Sequence, residues 1–354
     1  MTAQPAQDHH LVGEVKVGLD PEGVVVGGPR RQAYVACSRS NAVAVVDLDA
    51  MHLLGSIPVG TEPIDIVMDE IGGRVFTADA RSDQVSVIDT TTDEVVGQIA
   101  VGSYPAGLGF DEKGRRLYCG NTMGSSMTVI DIDTLEVVAT VPAELGAGAV
   151  AVSPRHQRAY CVNFLTGSVT VVDTEANEPI GRITVGNGPC AAAVNPQLDE
   201  VYVVNSLAST VARIDIPSGD VVGEMAVASA PVGMAASPLG DRIYVSNRGN
   251  GTLSVVGMDG AEWSRIDVGW APGGVSVHPF DDRRLLVANA GSGSLTVVDD
   301  LLVGPAGTVN HDGTDPLVGT RLPPFSLPDL HSGQLRHSVE WAERKYIVNF
   351  FASW

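Results

Sequence analysis

The chain has 354 residues, of which 44 % are hydrophobic and 18 % charged, a balance that excludes a disordered tail and a polyelectrolyte. Its 42 acidic and 22 basic residues give a formal net charge of −20, so we expect no nucleic-acid partner and no membrane partner. Only 4 Trp, 7 Tyr and 7 Phe are present against 40 Gly and 21 Pro, which predicts an aliphatic core between frequent turns, as in all-β proteins.

The N-terminus reads MTAQPAQDHH and lacks the basic and apolar regions of a secretory signal. No apolar run approaches the roughly 18 residues of a membrane helix. We therefore expect a cytoplasmic protein, or an extracytoplasmic one if the N-terminus is incomplete, with residues 1–10 disordered. Four cysteines do not make a disulfide scaffold, and no His or Cys pair has zinc-ligand spacing, so no metal or cofactor is expected.

From residue 11 onward the sequence repeats itself. A Val followed by Gly or a near equivalent recurs at steps of 42, 42, 40, 44, 42 and 41 residues, at Val17, Val59, Val101, Val141, Val185, Val227 and Val268. A turn usually ending in Pro comes after it, and then come four short strand-like segments, such as GMAAS, IYVSN, LSVVG and VVGEMAV. Seven units of four strands predict a seven-bladed β-propeller over residues 11–300.

The seventh unit has only three strands, ending at TVVDD. The segment LVGEVKV, residues 11–17, aligns with the fourth strand of the other units. We expect it to pair with the strand around Leu295–Val298 and so close the ring, which removes exposed sheet edges.

The IYVSN…LSVV and AYCVN…VTVVD segments, with the preceding VGxxP, resemble the YVTN-repeat family of seven-bladed propellers. The second strand ends in Asn in five units, whereas the first two units have Cys37 and Asp79. We interpret the Asn residues as scaffold that caps turns through bonds to the backbone. They are Asn121, Asn163, Asn205, Asn247 and Asn289.

Propeller ligands usually bind where the fourth-to-first and second-to-third strand loops meet around the axis. Side chains expected there from the first loop set are Asp20, Glu22, Glu62, Asp65, Tyr104, Asn187, Cys190 and Trp270. The second set supplies Arg39, Arg81, Met123, Phe164, Leu207 and Arg248. Charged and aromatic groups together favour a small polar ligand or a peptide, and the candidate ligand-binding residues are Arg39, Glu62, Arg81, Tyr104, Arg248 and Trp270. Solvated loop side chains are the alternative interpretation.

Residues 301–318 are rich in turn formers and are interpreted as a linker. The segment after this linker resembles the opening of a thioredoxin-like domain of the redoxin type, on Gly319, Pro324, Phe325, Leu327, Asp329 and Gly333, and then VNFFASW. In that family a Cys-x-x-Cys comes next, so residues 319–354 are expected to be a truncated domain whose cysteine pair would come after Trp354. Thiol–disulfide exchange needs that pair, so no catalytic residue is assigned and no redox catalysis is expected from the chain as given.

Two functions remain open. The first is a binding or scaffold propeller, for a protein or peptide partner, fused to a thiol-disulfide oxidoreductase domain. The alternative is a propeller enzyme or small-molecule binder with its site at the axial mouth. The oligomeric state is not predicted.

Overall fold

The computed structural model describes residues 9–28, 30–195, 197–279 and 281–302, together with two short strands further on. The chain divides into two units, Met1–Leu302 and Val303–Trp354. In the second unit, Ser326–Pro328 pairs antiparallel with Leu335–His337. Residues 1–8, almost all of the predicted linker and the remaining residues of the predicted thioredoxin-like segment, including the expected strand at VNFFASW, lie outside the described residues.

The first unit is a ring of seven four-stranded antiparallel blades, as the repeat predicts. Blade 1 consists of β2 (Pro21–Gly27), β3 (Gln32–Cys37), β4 (Ala42–Asp47) and β5 (His52–Pro58). Blade 2 consists of β6 (Pro63–Asp69), β7 (Arg74–Asp79), β8 (Gln84–Asp89) and β9 (Glu94–Ala100). Blade 3 consists of β10 (Pro105–Asp111), β11 (Arg116–Asn121), β12 (Ser126–Asp131) and β13 (Glu136–Pro142).

The next three blades have the same strand order. Blade 4 consists of β14 (Ala147–Ser153), β15 (Arg158–Asn163), β16 (Ser168–Asp173) and β17 (Glu178–Thr184). Blade 5 consists of β18 (Pro189–Asn195), β19 (Glu200–Asn205), β20 (Thr210–Asp215) and β21 (Val221–Ala226). Blade 6 consists of β22 (Pro231–Ala236), β23 (Arg242–Asn247), β24 (Thr252–Gly257) and β25 (Glu262–Asp267). Within the described residues, three short 3-10 helices lie in the loops, at Ser38–Ser40, Ala80–Ser82 and Pro154–His156.

Blade 7 is completed by the N-terminal strand. It consists of β26 (Pro272–His278), β27 (Asp281–Asn289), β28 (Ser294–Asp300) and β1 (His9–Lys16), and β1 pairs antiparallel with β28. The predicted closure is confirmed, and the pairing begins at His9, within the stretch expected to be disordered. The first strand of every blade contacts the first strands of both neighbours, including β26 with β2, so the ring is closed.

The burial pattern explains why this sequence forms blades. The second and third strands of a blade are buried on both faces between their neighbours, whereas the outermost strand buries one side chain near its end. In β1 that side chain is Val15, which is 5 % exposed. The equivalent residues in the other blades are Ile57, Ile99, Val141, Ile183, Met225 and Ile266. All of them are buried except Ile183, which is half-buried. A single blade cannot cover its faces, so stacking of all seven supplies the core.

The Val141 assignment in the repeat is wrong. The residue after each outer strand donates its N–H to the carbonyl of the residue just before the third strand, as Val101 does to Asp83 at 3.0 Å. In the fourth unit Ala143 makes this bond, to the Ser125 carbonyl, also at 3.0 Å. The Val-Pro pair at 141–142 resembles the motif, but Val141 is the buried residue of the outer strand. The repeat is therefore more regular than the sequence spacing indicates.

The glycine of the Val-Gly motif leaves room for the Asn that ends the second strand. A Cβ at Gly102 would lie 2.5 Å from the side chain of Asn121. Asn121 donates to the hydroxyls of Ser126 and Thr128, at 3.1 and 2.9 Å. The scaffold interpretation of these Asn residues agrees with the structure, but their main partners are side-chain hydroxyls rather than the backbone. In blade 1, Cys37 replaces Asn and the facing residues carry no hydroxyl.

Candidate ligand-binding site

One face of the ring, which we call the mouth face, gathers two sets of loops. They are the fourth-to-first loops, which end at residues 20, 62, 104, 146, 188, 230 and 271, and the second-to-third loops, which begin at residues 38, 80, 122, 164, 206, 248 and 290. Backbone hydrogen bonds join the two sets, as from the Ala80 N–H to the Glu62 carbonyl at 2.9 Å. We call the opposite end of the ring the far face.

Left-handed backbone holds the side chains at the mouth face. The residue immediately before each first strand has a positive φ, with 59° at Glu62 and 55° at Tyr104. The Glu62 N–H donates to Asn41 Oδ1 at 2.9 Å, and the Tyr104 N–H donates to Asp83 Oδ1 at 2.8 Å. Because both the amide and the carbonyl of these residues are bonded, the loops present their side chains from a fixed backbone.

Three of the predicted residues form one cluster across blades 2 and 3. The Arg81 guanidinium forms an ion pair with Glu62 Oε2, and the Tyr104 hydroxyl donates to Glu62 Oε1 at 2.9 Å. Burial, followed by this hydrogen bond, raises the pKa of Tyr104, so its hydroxyl stays a donor at neutral pH. Arg81 remains largely exposed, so its free N–H groups face solvent, where a carboxylate or carbonyl of a ligand can reach them.

Arg248 takes part in a second cluster, which spans three blades. Its guanidinium reaches from blade 6 to Glu22 Oε1 in blade 1, at 2.5 Å. A Cβ at Gly273 of blade 7 would lie 2.8 Å from the Glu22 carbonyl oxygen, so glycine there leaves room for the crossing. Burial raises the pKa of Glu22 in spite of Arg248, and the charges of Asp20 and Glu62 raise it further. The sequence placed Glu22 on this face, but it gave no sign of the pairing with Arg248.

The two remaining candidates stand apart from these clusters. The Arg39 side chain is exposed and has no hydrogen bond or ion pair with any residue in the described ranges. Trp270 is 72 % exposed and lies against the backbone of Gly291, where a Cβ would be 2.4 Å from the indole. The backbone N–H of Trp270 donates to Ser292 Oγ at 2.7 Å. The structure therefore unites four of the six predicted residues in two clusters and leaves two as solvent-facing side chains on the same face.

An axial cavity of about 510 Å³ opens between the first strands of all seven blades. Its walls are mostly aliphatic, and Asp65 lines it at the mouth end of β6. Asp65 accepts hydrogen bonds from the N–H groups of Leu108 and Ile66, at 2.8 and 2.9 Å. Burial raises the pKa of Asp65 to about 6. Asp65 was expected near the mouth, but its place in the cavity wall depends on the bulge between Pro63 and Asp65.

Exposed apolar side chains cover the mouth face of blades 3 to 5. We call this set the apolar crescent, and it consists of Met123, Leu145, Phe164, Leu165 and Leu207. Four of them are 59–72 % exposed, and Phe164 is 39 % exposed. Leu145 and Leu165 were not singled out in the sequence, although alignment of the loop positions across the units finds both.

The cysteines offer no nucleophile. Burial raises the pKa of Cys37, Cys161 and Cys190 to about 12 and raises that of Cys119 as well. All four are free thiols. Cys190, expected at the mouth, lines the axial cavity, and Cys37 at the end of β3 is buried.

The repeated Asp residues at the ends of the third strands act in turns. Asp131 Oδ1, for example, accepts from the N–H groups of Asp133 and Thr134, both at 3.0 Å.

Among the described residues, no group of three or more His, Cys, Asp or Glu is arranged to hold a metal ion. In the same part of the chain, no helix is long and apolar enough to cross a bilayer.

No family model and no curated protein matches the chain. Among solved structures, it is similar to Kuenenia stuttgartiensis hydrazine synthase, with a TM-score of 0.68 and 18 % sequence identity. The match covers 84 % of this chain and 98 % of that chain. At this identity the likeness shows the propeller fold alone.

Proposed function

We propose that the propeller is a binding scaffold whose mouth face docks a protein or peptide partner. The observation that carries this proposal is the division of that face. The Glu62–Arg81–Tyr104 cluster joins blades 2 and 3 and the Glu22–Arg248 cluster joins blades 1 and 6, whereas the loops of blades 3 to 5 present the apolar crescent. Apolar side chains beside fixed charged groups are typical of surfaces that bind proteins.

The repeat provides an internal comparison. All seven blades contain the same loops. If these loops served only the fold, equivalent loop positions in different blades would carry similar residues. On the far face, exposed large apolar side chains occur singly, as at Ile71, Leu198 and Leu239. On the mouth face they occur in the loops of three consecutive blades, with three of them in blade 4, which favours recognition over loop structure.

The test is selection of peptides from a random library on the full chain, followed by titration of the selected peptides. We expect Leu207→Ser to weaken binding by about tenfold or more, as for a central interface residue. Leu239→Ser is the matched control, because Leu239 is 64 % exposed on the far face, and it should leave the affinity unchanged. Selected peptides that bind both variants equally would refute the mouth face as the docking surface.

We also propose that residues 319–354 begin a thioredoxin-like domain, and that a longer parent protein brings partners held by the propeller to its thiol chemistry. The support is the order of Gly319, Pro324, Phe325, Leu327, Asp329 and Gly333. The chain as given should not accelerate insulin reduction by dithiothreitol, because its four thiols all have raised pKa values. The coding sequence after Trp354 tests the proposal, and absence of Cys-x-x-Cys there would refute it.

The second candidate, a small-molecule binder at the axial mouth, is favoured by one observation. The cavity lined by Asp65 has a volume within the range of small-ligand sites.

A further inference from the structure

The axial cavity combines aliphatic walls with carboxylates. Val24, Ile66, Leu108 and Val150 are among its lining residues. The charged side chains that line it within the described ranges are those of Glu22 and Asp65, both negative. The described part of the cavity wall therefore offers an apolar surface and negative charge, with no cationic group.

The two carboxylates differ in their partners. Glu22 is neutralised by Arg248, at 2.5 Å. Asp65 is bonded to the backbone N–H groups of Leu108 and Ile66 and forms no ion pair with any described residue. Asp65 thus places a net negative charge against apolar walls, which is costly unless a cation is present.

The fold does not require acidic residues at these two positions. The other blades have Ile64, Ala106, Gly148, Cys190, Val232 and Gly273 in place of Glu22. They have Gly23, Gly107, Ala149, Ala191, Gly233 and Gly274 in place of Asp65. Six blades therefore build the same strand without Asp65. Asp65 accepts the Leu108 and Ile66 N–H groups on separate oxygens, which suits a carboxylate because an Asn amide has one acceptor oxygen. These two bonds leave the charge of Asp65 without a cationic partner among the described residues.

The chemistry of the cavity narrows the ligand to one class. An anion would be repelled by Asp65, and a neutral apolar molecule would leave the charge of Asp65 uncompensated. A bare metal ion needs several ligands, and no such group exists among the described residues. An ammonium or guanidinium group on an aliphatic stem matches both the charge and the walls.

We propose that the axial cavity binds an organic cation, a primary ammonium or guanidinium group on an aliphatic stem, with its charge beside Asp65 and its stem along the aliphatic first strands. The cation is either a free amine or the Lys or Arg side chain of a partner docked on the mouth face. In the second form the inference rests on the proposed function and adds to it the residue that the partner inserts.

Titration of the full chain with n-hexylamine and agmatine tests the inference, with hexanol and hexanoate as neutral and anionic controls. We expect both cations to bind at pH 7.5 and neither control to do so. Asp65→Asn should weaken cation binding by about tenfold or more, since it removes the unpaired charge. Asp220→Asn is the matched control, because Asp220 is a carboxylate on the far face, away from the cavity, and it should change nothing.

A pH series on the wild-type chain gives a second test that needs no variant. Protonation of Asp65, whose pKa is about 6, should weaken binding by roughly tenfold between pH 7 and pH 5. The Cys119 thiol lies near Asp65 and also near Asp79, and Glu22 shares the cavity. Glu22→Gln separates the contribution of Glu22 to cation affinity from that of Asp65. If Asp65→Asn does not fold, the pH series on Glu22→Gln tests Asp65, because Glu22 is then absent as a titrating group.

Equal binding of hexylamine and hexanol, or unchanged cation affinity in Asp65→Asn and at pH 5, would overturn the inference. A selected peptide with one Lys, compared with its norleucine analogue, distinguishes a partner's side chain from a free amine. Leu207→Ser should weaken the peptide but not hexylamine. Failure of the peptide alone therefore counts against the proposed function, and failure of the amine counts against the cation site.

Discussion

The closure of the ring by β1 gives a quantitative prediction about stability. Val15 is the buried side chain of β1 and packs in a cluster with Leu286, Leu295 and Val297 of blade 7. Leu11, in the same strand, is 57 % exposed. Both residues pair with β28, on either side of a register shift between Leu11 and Gly13, and they differ in burial.

We expect Val15→Ala to lower the free energy of unfolding by about 2 to 3 kcal/mol. Loss of two buried methyl groups accounts for roughly 1.6 kcal/mol, and the cavity left in a packed core adds about 1 kcal/mol. For a propeller of this size, that corresponds to a decrease in the melting temperature of about 4 °C. Leu11→Ala should change it by less than about 1 °C, because exposed substitutions away from special features have small effects.

Thermal unfolding followed by far-ultraviolet circular dichroism, which reports on β-sheet content, measures both variants. Equal melting temperatures for the two variants would refute the account of β1 as a buried clasp. Deletion of residues 1–17 is the stronger perturbation, since it also exposes the edge of β28. It should cause association as well as loss of stability.

Three further predictions concern charges and thiols. Arg115 binds the fully buried Asp69 through two hydrogen bonds of 2.8 and 2.9 Å. In chemical denaturation, Arg115→Ala should therefore lower the free energy of unfolding by about 2 to 3 kcal/mol. Arg155→Ala, which breaks an exposed ion pair, should lower it by less than about 1 kcal/mol. Equal costs would contradict the assignment. The folded-state pKa of Asp65, about 6, lies above its unfolded value, so its stabilising contribution is complete below about pH 4 and is lost as the pH rises to about 6. The wild type should therefore gain about 1 kcal/mol over Asp65→Asn between pH 7 and pH 5 in urea titrations, and parallel pH profiles would refute the raised pKa. The four thiols should react with a chromogenic disulfide reagent only after denaturation, because burial raises the pKa of each one; rapid labelling of the native chain would show that a cysteine is accessible.

The architecture could be predicted from the sequence because each blade repeats one local pattern. The outer strands bury a residue near their end, as at Ile57, Ile99 and Val15. These residues lie in the aligned outer-strand segments, and that alignment identified β1 as the closing strand. The error at Val141 has a local cause. Val-Pro resembles Val-Gly in sequence, whereas only the backbone bond made by Ala143 distinguishes the two positions.

The sequence could predict on which face of the ring the candidate residues lie, but not which side chains bond to each other. Glu62, Arg81 and Tyr104 lie in loops that the repeat brings to one face, so their proximity is a consequence of the fold. The bond between Glu22 and Arg248 joins blades 1 and 6 and depends on Gly273 in the blade between them. A sequence read one unit at a time contains no signal for such a crossing.

Hydrogen–deuterium exchange with and without a selected peptide tests the mouth face as the binding surface most directly. We expect slower exchange at Asp65 and Ile66 and in the second-to-third loops beginning at residues 122, 164 and 206, which include most of the apolar crescent. Slower exchange confined to the far-face loops or to the outer strands would contradict it.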